Sequence, residues 1–324
     1  MATEKGRKPR IAVIGECLVE LNGKLFGEMR QTFGGDTLNT ALYLARVANG
    51  GIGVSYVTAM GEDVLSSAMV RRWEDEGIDT SHVLRDGARL PGLYLIELDE
   101  TGERSFVYWR GESAARFLLQ HKKFARVEAA LSGFDMIYLS GISLAILPEP
   151  DRKRLIAILQ QRAAGGTAIA FDANFRARLW PSPSAAAATF AELMPSLTLM
   201  LTSFADEEIL WGDASPEAAL ARLVQAGVKI PVVKLGASGA LFREGDRMKT
   251  ITPPPVPRVV DTTAAGDAFN AGFIAAWLSG QDVAESCRFG NRVAGAVVQY
   301  PGAIIPKAAT PALSDFLSQH LEAP

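Results

Sequence analysis

Cysteine is nearly absent: Cys17 and Cys287 are the only two in 324 residues. They lie far apart, without metal-like or redox-like spacing, which excludes a disulfide framework and reads as a pair of reduced intracellular thiols. Histidine is as scarce, with His82, His121 and His320 scattered along the chain. A zinc site or a histidine-based triad therefore has nothing to stand on. No run reaches the roughly 18 apolar residues that span a bilayer, and residues 1–10 lack the apolar core and cleavage site of a signal peptide. No block of one charge stands out, since 33 basic and 36 acidic residues leave a net charge of -3. That balance argues against nucleic acid and membrane as partners, so a soluble, cytoplasmic protein is expected. Also missing are Gly-x-x-x-x-Gly-Lys-Ser/Thr, which excludes a P-loop, and a strand-linked Gly-x-Gly-x-x-Gly, which removes the main support for a dinucleotide fold. The protein-kinase catalytic set is absent too.

What is present is apolar material, 48% of the residues, enough for a large core. Length suggests about two domains, but a single α/β domain with an appendage fits equally well. Short Val/Ile/Leu runs at 11–15, 54–60, 135–139, 167–172, 197–201 and 228–235 read as buried strands. Helical stretches such as 37–47, 149–164 and 216–226 separate them. Continuous apolar strands between helices indicate a mostly parallel sheet covered on both faces. Two stretches, 17–33 and 90–110, read instead as antiparallel strand pieces. In 104–110, alternation puts Phe106, Tyr108 and Arg110 on one face, and 99–103 supplies a hairpin turn. Together they predict a small β-sheet beside the main layer, suited to act as a lid.

Three segments carry chemistry. In Asp261-Thr262-Thr263-Ala264-Ala265-Gly266-Asp267-Ala268-Phe269-Asn270, Val259-Val260 ends a strand and large apolar residues from Phe269 onward have helical spacing. Small residues at the helix start leave amides open to an anion, and the helix dipole favours negative charge there. Asp267 follows in the first turn. A carboxylate beside an anion hole is what phosphoryl transfer to a hydroxyl requires, although an ordinary helix start with an acidic first turn looks the same locally. In Phe33-Gly34-Gly35-Asp36-Thr37-Leu38-Asn39, the Gly-Gly pair lets a ligand approach backbone, and Asn39 can hold hydroxyls through its amide. A tight turn capped by Asp36 or Thr37 is the alternative. In 232–240, glycines between two strands mark a hairpin.

These strings resemble the signatures of the PfkB (ribokinase-like) sugar kinase family: Asp-Thr-x-Gly-Ala-Gly-Asp, Gly-Gly-x-x-x-Asn and a Lys-x-Gly-x-x-Gly segment. Ala264 replaces the usual first glycine; Asp-Thr-Thr-Ala-Ala-Gly-Asp, Gly-Gly-Asp-Thr-Leu-Asn-Thr and Asp172-Ala173-Asn174-Phe175-Arg176 resemble the 2-keto-3-deoxygluconate kinase branch. The likeness runs from Ile11 to about Pro306. It implies a ribokinase-like α/β fold over 1–324 as one kinase domain, with lid strands within about 17–33 and 90–110. It implies ATP and Mg²⁺, with Asp267 as base and an anion hole of Ala264, Ala265 and Gly266. The implied substrate set is Gly34, Gly35, Asn39, Tyr94, Tyr108, Arg110, Arg176 and Asp267. The arginines suit a carboxylate, though each could be a surface ion pair, and each tyrosine could be lid packing. The implied nucleotide set is Ser203, Lys234, Gly236, Gly239, Ala264, Ala265, Gly266 and Asn291, with 302–303 bordering adenine. Ser203 and Asp206 stand where the family has Asn and Glu of its magnesium-organising motif. The expected reaction is phosphorylation of 2-keto-3-deoxy-D-gluconate. A kinase of the same family for fructose, ribose or a nucleoside is one alternative, and a non-catalytic sensor another. Exposed lid edges suggest a homo-oligomer.

Overall fold

The computed structural model describes residues 7–98 and 104–321; the turn expected over 99–103 lies outside them. In chain order the first strands are β1 (Arg10–Ile14), β2 (Leu18–Gly23), β3 (Met29–Gly34), β4 (Gly53–Gly61), β5 (Val83–Asp86), β6 (Leu93–Leu98) and β7 (Arg104–Trp109). There follow β8 (Met136–Ser140), β9 (Ala168–Asp172), β10 (Leu199–Ser203), β11 (Ile230–Lys234), β12 (Ala240–Glu244) and β13 (Arg247–Ile251).

Nine of these form one sheet in the order β13-β12-β11-β10-β9-β8-β1-β4-β5. It is parallel from β5 to β11, and β12 and β13 add an antiparallel edge. Central strands β8 and β9 are buried at every residue, as their unbroken apolar runs require when helices cover both faces. Alternation sorts β1 cleanly: Ile11 and Val13 join one core, Ala12 and Ile14 the other. The first core takes the helices Asp36–Ala48 and Ala265–Leu278, through residues such as Leu38, Leu42, Phe269 and Phe273. The helix Glu149–Ala164 closes the second with Leu155, Ile156 and Leu159. Among the described residues no helix is long and apolar enough to cross a membrane. The architecture is a ribokinase-like α/β sandwich.

The remaining four strands form a second sheet in the order β3-β2-β6-β7. Each expected strand pair is an antiparallel hairpin, but β2 and β6 join the two in parallel. Three sequence expectations need correction. The strand expected over 197–201 runs Leu199–Ser203, which carries Ser203 to the C-terminal edge of the sheet, level with Lys234. Val259 and Val260 end no strand. The sheet already has its edge at β13, and the amides of Val260 and Asp261 both donate to the Val298 carbonyl at the end of the helix Val283–Val297. Finally, neither Asp36 nor Thr37 caps its helix: Gly35 takes the N-cap position with no side-chain cap bond.

Candidate active site

The helix Ala265–Leu278 starts where the chain arrives from the sheet edge. Asp261 pins this approach: its carboxylate accepts from the Thr263 amide at 3.0 Å, the Thr263 hydroxyl at 2.7 Å and the Gly302 amide at 2.8 Å. Ala264 then turns left-handed, with φ 60° and ψ 13°, a conformation that a residue with a Cβ adopts at a penalty of about 1–2 kcal/mol. The turn aims the start of the helix at open space. Among the described residues no hydrogen-bond partner meets the amides of Ala264 and Gly266, whereas Ala265 donates to the Thr262 carbonyl at 3.2 Å. The anion hole expected over 264–266 is thus two free amides, with the third held in the turn.

Asp267 lies in the first turn of that helix. Asn39 Nδ2 donates to its Oδ2 at 2.8 Å, while Asn39 Oδ1 is buried without a partner. Protein on most sides strips water from the Asp267 carboxyl, and the charges of Asp36 and Asp172 add to that effect. Against the Asn39 hydrogen bond and the Lys234 ammonium, they raise its pKa to about 7. A carboxyl in that position is poised to exchange a proton near neutrality.

A polar network at the C-terminal ends of the strands, where open α/β sheets bind ligands, acts on this carboxyl through the charges of Asp172 and Lys234. Lys234 Nζ donates to Asp172 Oδ2 at 3.0 Å and to Asn270 Oδ1 at 3.1 Å. Asn270 Nδ2 donates to the same Asp172 oxygen at 2.7 Å and to Tyr138 Oη at 3.0 Å. A Cβ added to Gly266 would stand 3.6 Å from Lys234 Nζ, so the ammonium lies beside the helix start.

Beyond Lys234 opens a cavity of about 330 Å³. Lys234, Gly236, Ala265, Gly266 and Asn291 line its polar end; Pro253, Pro254, Val256, Val259, Phe269 and Val298 make an apolar slot. Gly239 lines it too, at the end of the 236–238 turn that joins β11 to β12. The segment is therefore both the hairpin and the cavity wall. Gly302 and Ala303 stand elsewhere, bonded to Asp261 and to Tyr43. Ser203 caps the helix Phe204–Trp211, outside the lining, and bonds Asp206 with its hydroxyl at 2.8 Å.

The helix that carries Asn39 begins where β3 of the small sheet ends. Tyr94 and Tyr108 face each other in register, their rings 5.7 Å apart, and the Arg110 guanidinium lies 5.9 Å from the Tyr108 centroid. A Cβ on Gly34 would meet the Tyr94 hydroxyl at 2.6 Å, and one on Gly35 would strike the Glu16 carbonyl. The Gly-Gly pair is thus needed for close packing of the small sheet. Tyr94 donates to Glu20 and Arg110 to Glu16, two buried carboxylates. Arg110 is therefore a buried ion pair and not the surface pair that was the alternative. Arg176 is exposed, donates to the Phe175 carbonyl at 2.8 Å, and acts through its charge on Asp206. It follows β9 in the main sheet, whereas Tyr94 and Tyr108 lie in the small sheet and Arg110 directly follows it.

Sequence reading missed Glu16 and Glu20, and it quoted Asp36, Asp172 and Asn270 within its motifs without giving them a role in the site. Asn270 carried a signal, being three residues after Asp267 and so on the same helical face. Glu16 and Glu20 carried one as well, as acids within and beside a strand. Among the described residues no group of three or more His, Cys, Asp or Glu is set to hold a metal. Mg²⁺ asks for less, one or two carboxylates with phosphates and water completing the shell. Asp206 is the candidate carboxylate for such an ion: burial and the charge of Asp172 raise its pKa, and a nearby cation would offset that effect.

Comparison with known proteins places the chain in a family. The pfkB family carbohydrate kinase model matches residues 8–310. The chain is 49% identical over 303 residues to the 2-dehydro-3-deoxygluconokinase of Haemophilus influenzae, covering 93% of this chain and 96% of that protein. It is 43% identical over 307 residues to the enzyme of the same name from Escherichia coli K12, covering 94% and 99%. The crystal structure of 2-dehydro-3-deoxygluconokinase from Thermotoga maritima superposes with a TM-score of 0.82, covering 96% of this chain and 98% of that one; at 21% identity it shows the fold. With its family model spanning most of the sequence and relatives this similar over nearly their whole length, the chain belongs to the pfkB family of carbohydrate kinases.

Proposed function

We propose that this protein is an ATP-dependent kinase that phosphorylates 2-keto-3-deoxy-D-gluconate at its primary hydroxyl, giving 2-keto-3-deoxy-6-phosphogluconate. The observation that carries the reading is Asp267, its pKa raised to about 7, in a helix whose start lines a cavity sized for part of a nucleotide and bonded to the helix that leaves the small sheet. At neutral pH about half of the Asp267 carboxyls are ionised and ready to accept the hydroxyl proton. Asn39 fixes that carboxyl through one oxygen and keeps a buried amide oxygen for a sugar hydroxyl. Adenine fits the slot of Pro253, Val256, Val259 and Val298, with Asn291, Gly236 and Gly239 at its walls. The phosphates then point to Lys234 and to the amides of Ala264 and Gly266. Lys234 would exchange its bonds to Asp172 and Asn270 for phosphate oxygens, stabilising charge on the group in flight. Mg²⁺ held through Asp206, with Ser203 beside it, would neutralise triphosphate charge.

Arg110 and Arg176 supply cations for the sugar carboxylate, one following the small sheet and one following β9 of the main sheet. Tyr94, Tyr108, Gly34 and Gly35 shape the pocket between them. The small sheet would close as a lid, excluding water and so limiting ATP hydrolysis. Its edge strands β3 and β7 suit pairing with a second copy, and the two unbridged thiols suit a cytoplasmic setting. ADP release measured across acid sugars, neutral ketoses and nucleosides, with and without Mg²⁺, tests the reading. Turnover should be highest on the acid sugar and lost without Mg²⁺; a preference for fructose over every acid sugar overturns it.

A further inference from the structure

We infer that Glu16 is a positioning residue for the acid-sugar site, acting through Arg110; the inference rests on the substrate reading above. Glu16 sits on the 15–17 link, where the chain leaves β1 of the main sheet and enters β2 of the small one. Arg110 sits where the chain leaves β7 to return. The pair therefore ties two of the crossings between the sheets. Glu16 is 2% exposed, and its Oε2 accepts from Arg110 Nη2. The contact is one-point: Glu16 Oε1 and Arg110 Nε are both buried without partners. Two neighbouring glycines leave it room. A Cβ on Gly92 would come within 3.0 Å of Glu16 Oε1 and 3.1 Å of Arg110 Cβ, and one on Gly35 would strike the Glu16 carbonyl.

A free arginine side chain loses rotamer entropy when it is fixed. Bonded to a buried acceptor, Arg110 is fixed on folding, before any substrate arrives. The remaining edge of its fork is then presented in one direction for the sugar carboxylate. Glu16 thus acts by reach more than by charge, and two conservative variants separate those effects. Glu16→Asp keeps the charge but withdraws the carboxylate by one methylene. Glu16→Gln keeps the reach and an acceptor oxygen but removes the charge.

The test is steady-state kinetics on the folded full chain, in wild-type and Arg110→Ala backgrounds, with acid sugar and ATP each varied. Glu16→Asp should raise KM for the acid sugar about tenfold with kcat within about threefold and KM for ATP unchanged, whereas Glu16→Gln should stay within about threefold throughout. In the Arg110→Ala background Glu16→Asp should add nothing, because a residue acting through a partner is non-additive with its loss. The inference is overturned if Glu16→Asp leaves the acid-sugar KM unchanged, moves kcat or the ATP KM equally, or keeps its effect without Arg110. It is also overturned if Glu16→Gln is as damaging as Glu16→Asp. If wild type does not turn over acid sugars, or Arg110→Ala leaves their KM untouched, it is the substrate reading that fails.

Discussion

In the proposed reaction Asp267 must be acidic enough to ionise and basic enough to take a proton from an alcohol, and its surroundings set that balance. Desolvation with Asp36 and Asp172 pushes the pKa up to about 7, and Asn39 and Lys234 restrain it. The base must be ionised, so kcat/KM should fall tenfold per pH unit below about 7. Replacing Asn39 with Ala should move that limb to higher pH, because a hydrogen bond that favours the charged form is lost. Asp267→Asn should lower turnover by about 10²–10⁴-fold while sparing ATP binding. It should also raise Tm. The sign follows from linkage: a folded-state carboxyl pKa raised above the usual 3.8 means that ionisation opposes folding, increasingly as pH climbs from about 4 and fully above about 7. The Tm advantage of Asp267→Asn should therefore be larger at pH 8 than at pH 5, by about 2–4 °C, measured by thermal unfolding. At this scale the sequence singled out Asp267 and Asn39, which the structure joins by a hydrogen bond, because each sits in a contiguous motif. Lys234 was legible only by resemblance. Asp172 and Asn270 each stood in a quoted motif, but their pairing with Lys234 was hidden because they lie 62 and 36 positions away.

Among elements, the start of the Asp267 helix bears the clearest strain. The sequence shows an alanine where glycine is usual; the structure shows why the exchange matters, since Ala264 stands at φ 60°. Glycine reaches that region freely but loses more entropy on folding. The net result for Ala264→Gly should be a stabilisation of about 0.5–1 kcal/mol, read as a higher urea midpoint at unchanged slope. Since the aligned groups are amides, which glycine also provides, kcat should stay within about twofold. The parallel strands and their helices were readable from periodicity because burial on both faces leaves a continuous apolar run. Val259-Val260 misled for a related reason. A β-branched pair favours extended backbone, but strand identity needs a neighbour, and here the amides find the Val298 carbonyl instead. The parallel β2–β6 joint was equally invisible, since alternation reports which face a residue takes and is silent on which strand lies beside it.

For the whole molecule, the decisive feature is that the substrate side is built from two bodies. Gly35, Asn39 and Asp267 belong to the main layer and its helices, while Gly34, Tyr94 and Tyr108 lie in the small sheet and Arg110 directly follows its last strand. Arg176 extends from the main layer after β9. A carboxylate bound between Arg110 and Arg176 would cross-link the small sheet to the main one, whereas a neutral sugar would meet only the hydroxyl-reading groups. Acid-sugar binding would then draw the small sheet down over Asp267 and keep water from the phosphoryl group. Arg176→Ala should sever that link from the side that Glu16 does not hold. Its acid-sugar KM should rise about 10–100-fold, the equivalent of about 1.4–3 kcal/mol of lost binding, with fructose turnover little changed. The same variant should hydrolyse ATP in the presence of acid sugar at a larger fraction of its turnover than wild type, because the cleft closes less completely. ADP and phosphosugar measured in one assay give that ratio, and coupling as tight as in wild type would show that Arg176 binds the carboxylate without helping to close the cleft.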